Sequence, residues 1–126
     1  MRVFVIFCCF FYSCLLWAEL PSGNTTITGD ISISSDTQTM TIDQQSDKAI
    51  IEWNSFNIGE NNTLTFQQPS SSSSTLNRVI SGNPTTLAGS LNANGKVFVV
   101  NENGVYFTPT STINAHSFAA STLALS

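Results

Sequence analysis

The sequence predicts an all-β fold, on three observations. Beyond residue 18 it is rich in Ser, Thr and Asn and poor in Ala, Leu, Lys and Glu, so strong helix formers are scarce. Its β-branched and aromatic residues alternate with polar ones, and the alternating segments are short, with turn formers between them.

Residues 1–18 stand apart. Arg2 precedes an apolar block from Val3 to Trp17, and Ala18 closes the block before the polar region opens at Glu19. A charged start, a short apolar stretch and a small closing residue are the parts of a cleavable secretory signal, here expected to be cut at Ala18/Glu19. The block falls short of the roughly 20 apolar residues a membrane-crossing helix needs. Phe11 and Tyr12 ahead of Cys14 are too bulky for a lipoprotein signal. Cys8, Cys9 and Cys14 all lie in this segment, which leaves the mature chain without a thiol for a disulfide, a metal site or a nucleophile.

In the mature chain Ile27, Ile31 and Ile33 share one parity, then Met40 and Ile42, Ile51 and Trp53, and Leu64 and Phe66. Side chains two apart face the same side of a strand, so each segment is expected to bury one face. Corners are expected at Ser22-Gly23-Asn24, Ser34-Ser35-Asp36, Gly59-Glu60-Asn61-Asn62, Asn83-Pro84, Asn94-Gly95 and Asn103-Gly104. Ser70 to Ser74 reads as a flexible surface loop, with strand-like sequence resuming at Leu76. A sandwich, a barrel and a stacked β-helix all fit this pattern. Two features lean towards the β-helix. Lys96 to Val100 is apolar on both parities, as a strand covered on both faces would be. Asn also recurs at the corners, where stacked amides can bond in ladders.

Charge and chemistry narrow the function. After Ala18 only Lys48, Arg78 and Lys96 are positive against eight acids, so losing Arg2 takes the net charge from −4 to −5. Nucleic acid needs clustered Lys and Arg, and is excluded as a partner. The single histidine, His116, reads as structural, since a metal site wants several convergent ligands. Asp43, Asp47 and Glu52 are close in sequence but form no paired-carboxylate motif of the kind glycoside cleavage requires. No catalytic, metal or cofactor site is therefore predicted.

Past Ile50 the order of residues becomes specific. Ile50-Ile51-Glu52-Trp53-Asn54-Ser55-Phe56-Asn57-Ile58-Gly59 resembles the "I-x-W-x-x-F-N-I-G" block of the filamentous haemagglutinin N-terminal domain, the secretion domain of two-partner secretion (TPS) exoproteins. Leu64-Thr65-Phe66-Gln67-Gln68-Pro69 is similar to "V-x-F-x-Q-P", and Leu76-Asn77-Arg78-Val79 to "x-L-N-R-V". Leu87-Ala88-Gly89-Ser90-Leu91 with Ala93-Asn94-Gly95 resembles "I-x-G-x-L-x-A-N-G", and Val97 to Val105 resembles "V-F-L-I-N-P-N-G-I". Phe118 to Leu123 is similar to "F-x-A-S-T-L". The blocks fall in order between about Ile27 and Ser126. Glu102 departs from the family's Pro, whose fixed φ presets a turn, so a looser turn is expected at that point.

The resemblance implies that residues 19–126 are the N-terminal part of such a domain, cut short at the C-terminus. Its fold would be a right-handed parallel β-helix with an N-terminal cap and short antiparallel extra strands. The resemblance also implies Sec export, recognition by an outer-membrane β-barrel transporter bearing POTRA domains, and an adhesive, haemagglutinin-like exoprotein at the surface of a Gram-negative cell. Host glycans or receptors would be partners of the full-length protein. Asn101, Asn103 and Gly104 would form the secretion motif, by structure or by recognition, with Trp53, Phe56, Asn57, Asn77, Arg78, Asn94 and Gly95 as family-block residues. Two other readings are a secreted β-helical polysaccharide-active enzyme and a non-functional truncated remnant.

Overall fold

The computed structural model describes residues 19–122. The signal segment expected at 1–18, and Leu123 of the last sequence block, lie outside them. Twelve strands follow one another with no helix among the described residues. They are β1 (Thr25–Thr28), β2 (Ile31–Ser35), β3 (Thr39–Gln44), β4 (Lys48–Trp53), β5 (Thr63–Gln67) and β6 (Ser74–Val79), then β7 (Thr85–Leu87), β8 (Ser90–Ala93), β9 (Lys96–Val100), β10 (Val105–Phe107), β11 (Thr112–Asn114) and β12 (Ser117–Ser121).

These strands wind into a parallel β-solenoid of about four turns. One sheet runs β11-β8-β5-β3-β2, a second β1-β4-β6-β9-β12, and the third face holds β10-β7. Each strand of a coil pairs in parallel with its equivalent in the next, as β3 with β5 and β5 with β8, or β4 with β6 and β6 with β9. Crossovers between parallel strands of one sheet favour the right-handed path. The third face begins at an isolated parallel bridge from Ile58 to Leu87. A solenoid is the solution among the three that the alternation pattern allows, because every parallel strand here is covered inside by its own coil.

The register stacks like on like. Met40, Leu64, Leu91 and Ile113 form one interior column, and Ile42, Phe66 and Ala93 another. Ile42, Ile51, Trp53, Phe56, Leu64, Leu87, Leu91, Val97 and Val99 have no exposed surface. Each such aliphatic or aromatic side chain contributes about 1.5–3 kcal/mol on burial. With no disulfide available, this column packing is the main source of stability.

The N-terminal end is capped by the two antiparallel strands. β2 pairs with β3 and β1 with β4, so both sheet edges of the first coil are occupied. Leu20, Ile31 and Ile33 pack on the core from this cap. Ile27 does not share their face: it is half-exposed, because Gly29 at φ 100° turns the chain between β1 and β2 and sends them to different sheets. The Asp36 carboxylate accepts from the backbone N–H groups of Gln38 and Thr39 and closes the β2–β3 turn. Those two bonds, Gln38's first, hold its carboxyl below the ordinary carboxylate range against slight opposition from desolvation.

Two expectations change. Lys96–Val100 buries only Val97 and Val99, while Phe98 and Val100 are half-buried on the outer face. The apolar outer parity belongs to a surface row, not to a second buried layer. Within the serine run, Ser70 to Ser72 are exposed, but Ser73 is fully buried and donates to Asp47, and Ser74 already begins β6.

Candidate functional site

Polar side chains enter the interior at several corners and within β3 and β6, and bond to neighbouring coils. Asn101 is fully buried at the end of β9. Its Nδ2 donates to Asn83 O and to Thr85 Oγ1, both at 2.9 Å, in the coil before. Its Oδ1 accepts from Asn103 N at 2.9 Å, and its backbone oxygen accepts from Gly104 N at 3.0 Å. Asn101 N donates to Ser121 O in β12, so one residue joins three coils.

Asn103 is exposed and donates from Nδ2 to Ser81 O at 3.2 Å. Gly104 lies at φ 115°, where a Cβ would sit 2.8 Å from the Tyr106 ring, and its oxygen accepts from Thr85 N. The positive φ is what favours glycine there, since the exposed Tyr106 ring can move aside. Glu102 takes the exposed second position of the turn, where proline would fit, and the turn closes with glutamate in place.

The other block residues divide by burial. Trp53 and Asn77 are fully buried, with Trp53 Nε1 donating to Asn77 Oδ1 at 2.9 Å and Asn77 Nδ2 to Phe98 O at 3.2 Å. Phe56 meets the Trp53 ring edge-on at 5.6 Å between centroids. Asn57 bridges outward, accepting from Thr86 N at 2.7 Å and donating to the Glu19 carboxylate at 2.9 Å. Asn94 both accepts from Gln68 N and donates to Gln68 O at 2.7 Å, and Gly95 N donates to Gln68 Oε1 at 2.8 Å. A Cβ at Gly95 would lie 2.7 Å from Ser73 O. Arg78 faces outward, 3.7 Å from Glu52. Thus the structure does not gather the motif residues into one cleft: they lie along successive corners and columns. Arg78, Glu102 and Asn103 line one open depression of about 430 Å³, together with Ile80 and Gly82.

Several residues of this kind escaped the sequence reading. Gln44 donates to Ser46 O, Asp47 O and Ser74 O and accepts from the Thr75 hydroxyl. Gln68 continues the chain to Thr75 Oγ1 and Lys96 O. Asn62 accepts from Glu19 N and donates to Thr37 O and Gln38 O. The available signal was parity, since Gln44 continues the Met40–Ile42 face and Asn77 the Val79 face. The expected ladder of stacked amides takes another form. Among the described residues these amides bond to backbone, hydroxyl, carboxylate and indole groups, not to one another.

Candidate catalytic groups remain apart. Asp43 accepts from Gln45, Asp47 from Ser73, and Glu52 lies by Arg78 on another sheet. His116 is exposed, with its backbone N–H bonded to Gly95 O. Among the described residues no group of three or more His, Cys, Asp and Glu is placed to hold a metal ion.

The parallel β-solenoid has a solved TPS secretion domain as its structural neighbour. The chain belongs to the TPS secretion domain family, whose model matches residues 18–126. It is 40% identical over 104 residues to a heme/hemopexin-binding protein of Haemophilus influenzae strain Rd, covering 82% of this chain and 12% of that protein. A second Haemophilus influenzae heme/hemopexin-binding protein is 42% identical over 105 residues, with 82% of this chain and 11% of that one covered. The chain thus spans about an eighth of these relatives' length. The crystal structure of the HMW1 secretion domain from Haemophilus influenzae superposes with a TM-score of 0.80 at 36% identity, over 84% of this chain and 28% of that chain. TPS domain proteins are secreted across the outer membrane and as a class work with a dedicated transporter.

Proposed function

We propose that this chain is the segment of its exoprotein that an outer-membrane transporter recognises, a β-barrel with periplasmic POTRA domains, after export and cleavage of residues 1–18. The observation that carries this reading is the family match over residues 18–126, which takes in every coil and the Asn101 corner. The domain's own task is to be recognised and then to fold outside the cell. Stacking coils suit that path, because each needs only its neighbour to close its hydrogen bonds.

Within this reading Asn101 and Gly104 act by holding the turn against the preceding coil. Asn101 has no exposed surface once the domain has folded, so in the folded state its side chain serves the turn alone. In the folded domain Asn94 and Asn103 are exposed and Asn57 and Arg78 partly so, which makes these the block residues open to a partner there. Surface attachment and the binding of host molecules, heme carriers or glycans belong in this proposal to the longer exoprotein.

The test is secretion of the chain from its own signal in cells with and without the transporter co-expressed. Transporter-dependent appearance in the medium is expected. Periplasmic retention in both strains contradicts the proposal.

A further inference from the structure

Ahead of β1, residues 19–22 form a short strap that runs antiparallel to residues 54–59 of the first coil. Ser22 and Ser55 make an isolated antiparallel bridge, and Ser22 O also accepts from Asn54 N. At the other end Glu19 O accepts from Gly59 N at 2.8 Å. Pro21 is buried and Leu20 packs on the core. β1 and β2 cover the edges of the two large sheets, and the strap is a third cap, laid on the segment that opens the third face at Ile58.

The first residue of the strap ends in a formed site. Glu19 N donates to Asn62 Oδ1 at 2.9 Å, and the Glu19 carboxylate accepts from Asn57 Nδ2 at 2.9 Å. Asn62 is only 4% exposed, and its Nδ2 donates to Thr37 O and Gln38 O. Carbonyls only accept, so this amide cannot turn over, and a buried acceptor stays fixed toward Glu19 N. Gly59 leaves the room for it: a Cβ there would lie 2.5 Å from Asn62 Oδ1 and 3.3 Å from Glu19 N. The φ of Gly59 is not positive, unlike those of Gly23, Gly29 and Gly104, so space and not backbone conformation calls for glycine here.

We infer that the corner at residues 59–62 is a binding site for the chain's own mature N-terminus, the α-ammonium that cleavage after Ala18 creates on Glu19. The inference rests on the cleavage proposed above and adds what the new chain end does. An ammonium brings three donors and a full charge where the uncut chain has one amide N–H. Charge-assisted hydrogen bonds are about twice as strong as neutral ones. One donor goes to Asn62 Oδ1, and the others are left to water because Glu19 is exposed. The third cap therefore reaches full strength only in the mature, folded domain.

The experiment expresses the full chain from its own signal beside the transporter, unmodified and with two residues, serine and glycine, inserted between Ala18 and Glu19. The same pair is made in an Asn62→Ala background, and each chain is purified from the medium or the periplasm, wherever it accumulates. Mass spectrometry reads each terminus, and hydrogen exchange follows the Gly59 amide, which is bonded to Glu19 O. Expected are a free amine on Glu19 of the unmodified chain, Gly59 exchange about tenfold faster with the insertion, and no such difference in the Asn62→Ala pair. If Asn62→Ala does not fold, the first pair decides alone. A terminus at another residue, a blocked amine, equal Gly59 exchange with and without the insertion, or a difference that persists in Asn62→Ala overturns the binding site while leaving transporter dependence intact. Secretion of the unmodified chain without the transporter overturns the proposed function and leaves this site standing.

Discussion

The indole N–H of Trp53 donates to Asn77 Oδ1 at 2.9 Å with both residues fully buried, and Asn77 in turn donates to Phe98 O. Three successive coils are joined through one amide. Because an unmade buried bond costs more than a made one gains, this amide penalises any slip in coil register.

Replacing Asn77 with Leu keeps the volume but strands the indole N–H and the Phe98 carbonyl. A loss of about 2–3 kcal/mol in urea unfolding is expected. The double change Trp53→Phe/Asn77→Leu removes both members of the first bond, so it should cost less than the sum of the single changes.

Asn101 and Asn103 share a motif but not an environment. Asn101→Ala loses three side-chain bonds in a site closed to water, and should destabilise by about 2–4 kcal/mol. Asn103→Ala loses one exposed bond and should cost under about 1 kcal/mol. Secretion should fall with stability for Asn101. A secretion defect in Asn103→Ala without loss of stability would instead mark a residue that the transporter reads directly.

Gly104→Ala meets both an unfavourable φ and the Tyr106 ring. Relieving the contact with Tyr106→Ala should recover only part of the loss, since the backbone strain of about 1–2 kcal/mol remains. Thermal unfolding of the single and double variants separates the two contributions.

Asp36 supplies a pH dependence of defined sign. Its folded pKa lies below the ordinary 3.8, so its contribution is present above that value and is lost as pH falls through the lower, folded pKa. NMR shifts of the β2–β3 turn should therefore stay constant down to about pH 4 and change only below it. Asp36→Asn keeps an acceptor for Gln38 and Thr39 N–H and should remove that acid transition. A transition at or above the ordinary carboxylate value would contradict the assignment.

Much of this fold was legible because alternation carries it: Met40/Ile42, Ile51/Trp53 and Leu64/Phe66 each bury the predicted face. Alternation says nothing of which strands pair, so the choice of solenoid over sandwich came from the block order and not from periodicity. Ile27 misled because parity cannot register that Gly29 redirects the chain to another sheet. Phe98 and Val100 misled because an apolar outer row reads like a second core. Gln44, Gln68 and Thr75 were invisible as a group, since the bonds that justify burying them come from other coils, 28 to 31 positions along the chain. For Asn101, Asn103 and Gly104 the sequence supplied the turn, while only the structure separates the buried clasp from the exposed one.

The most direct test of the central claim joins these 126 residues to an inert, normally periplasmic reporter and follows it with and without the transporter. The account predicts reporter in the medium only when both the domain and the transporter are present, and loss of that release on Asn101→Ala. Reporter that stays in the periplasm despite an active transporter, or that escapes without the transporter, would contradict it.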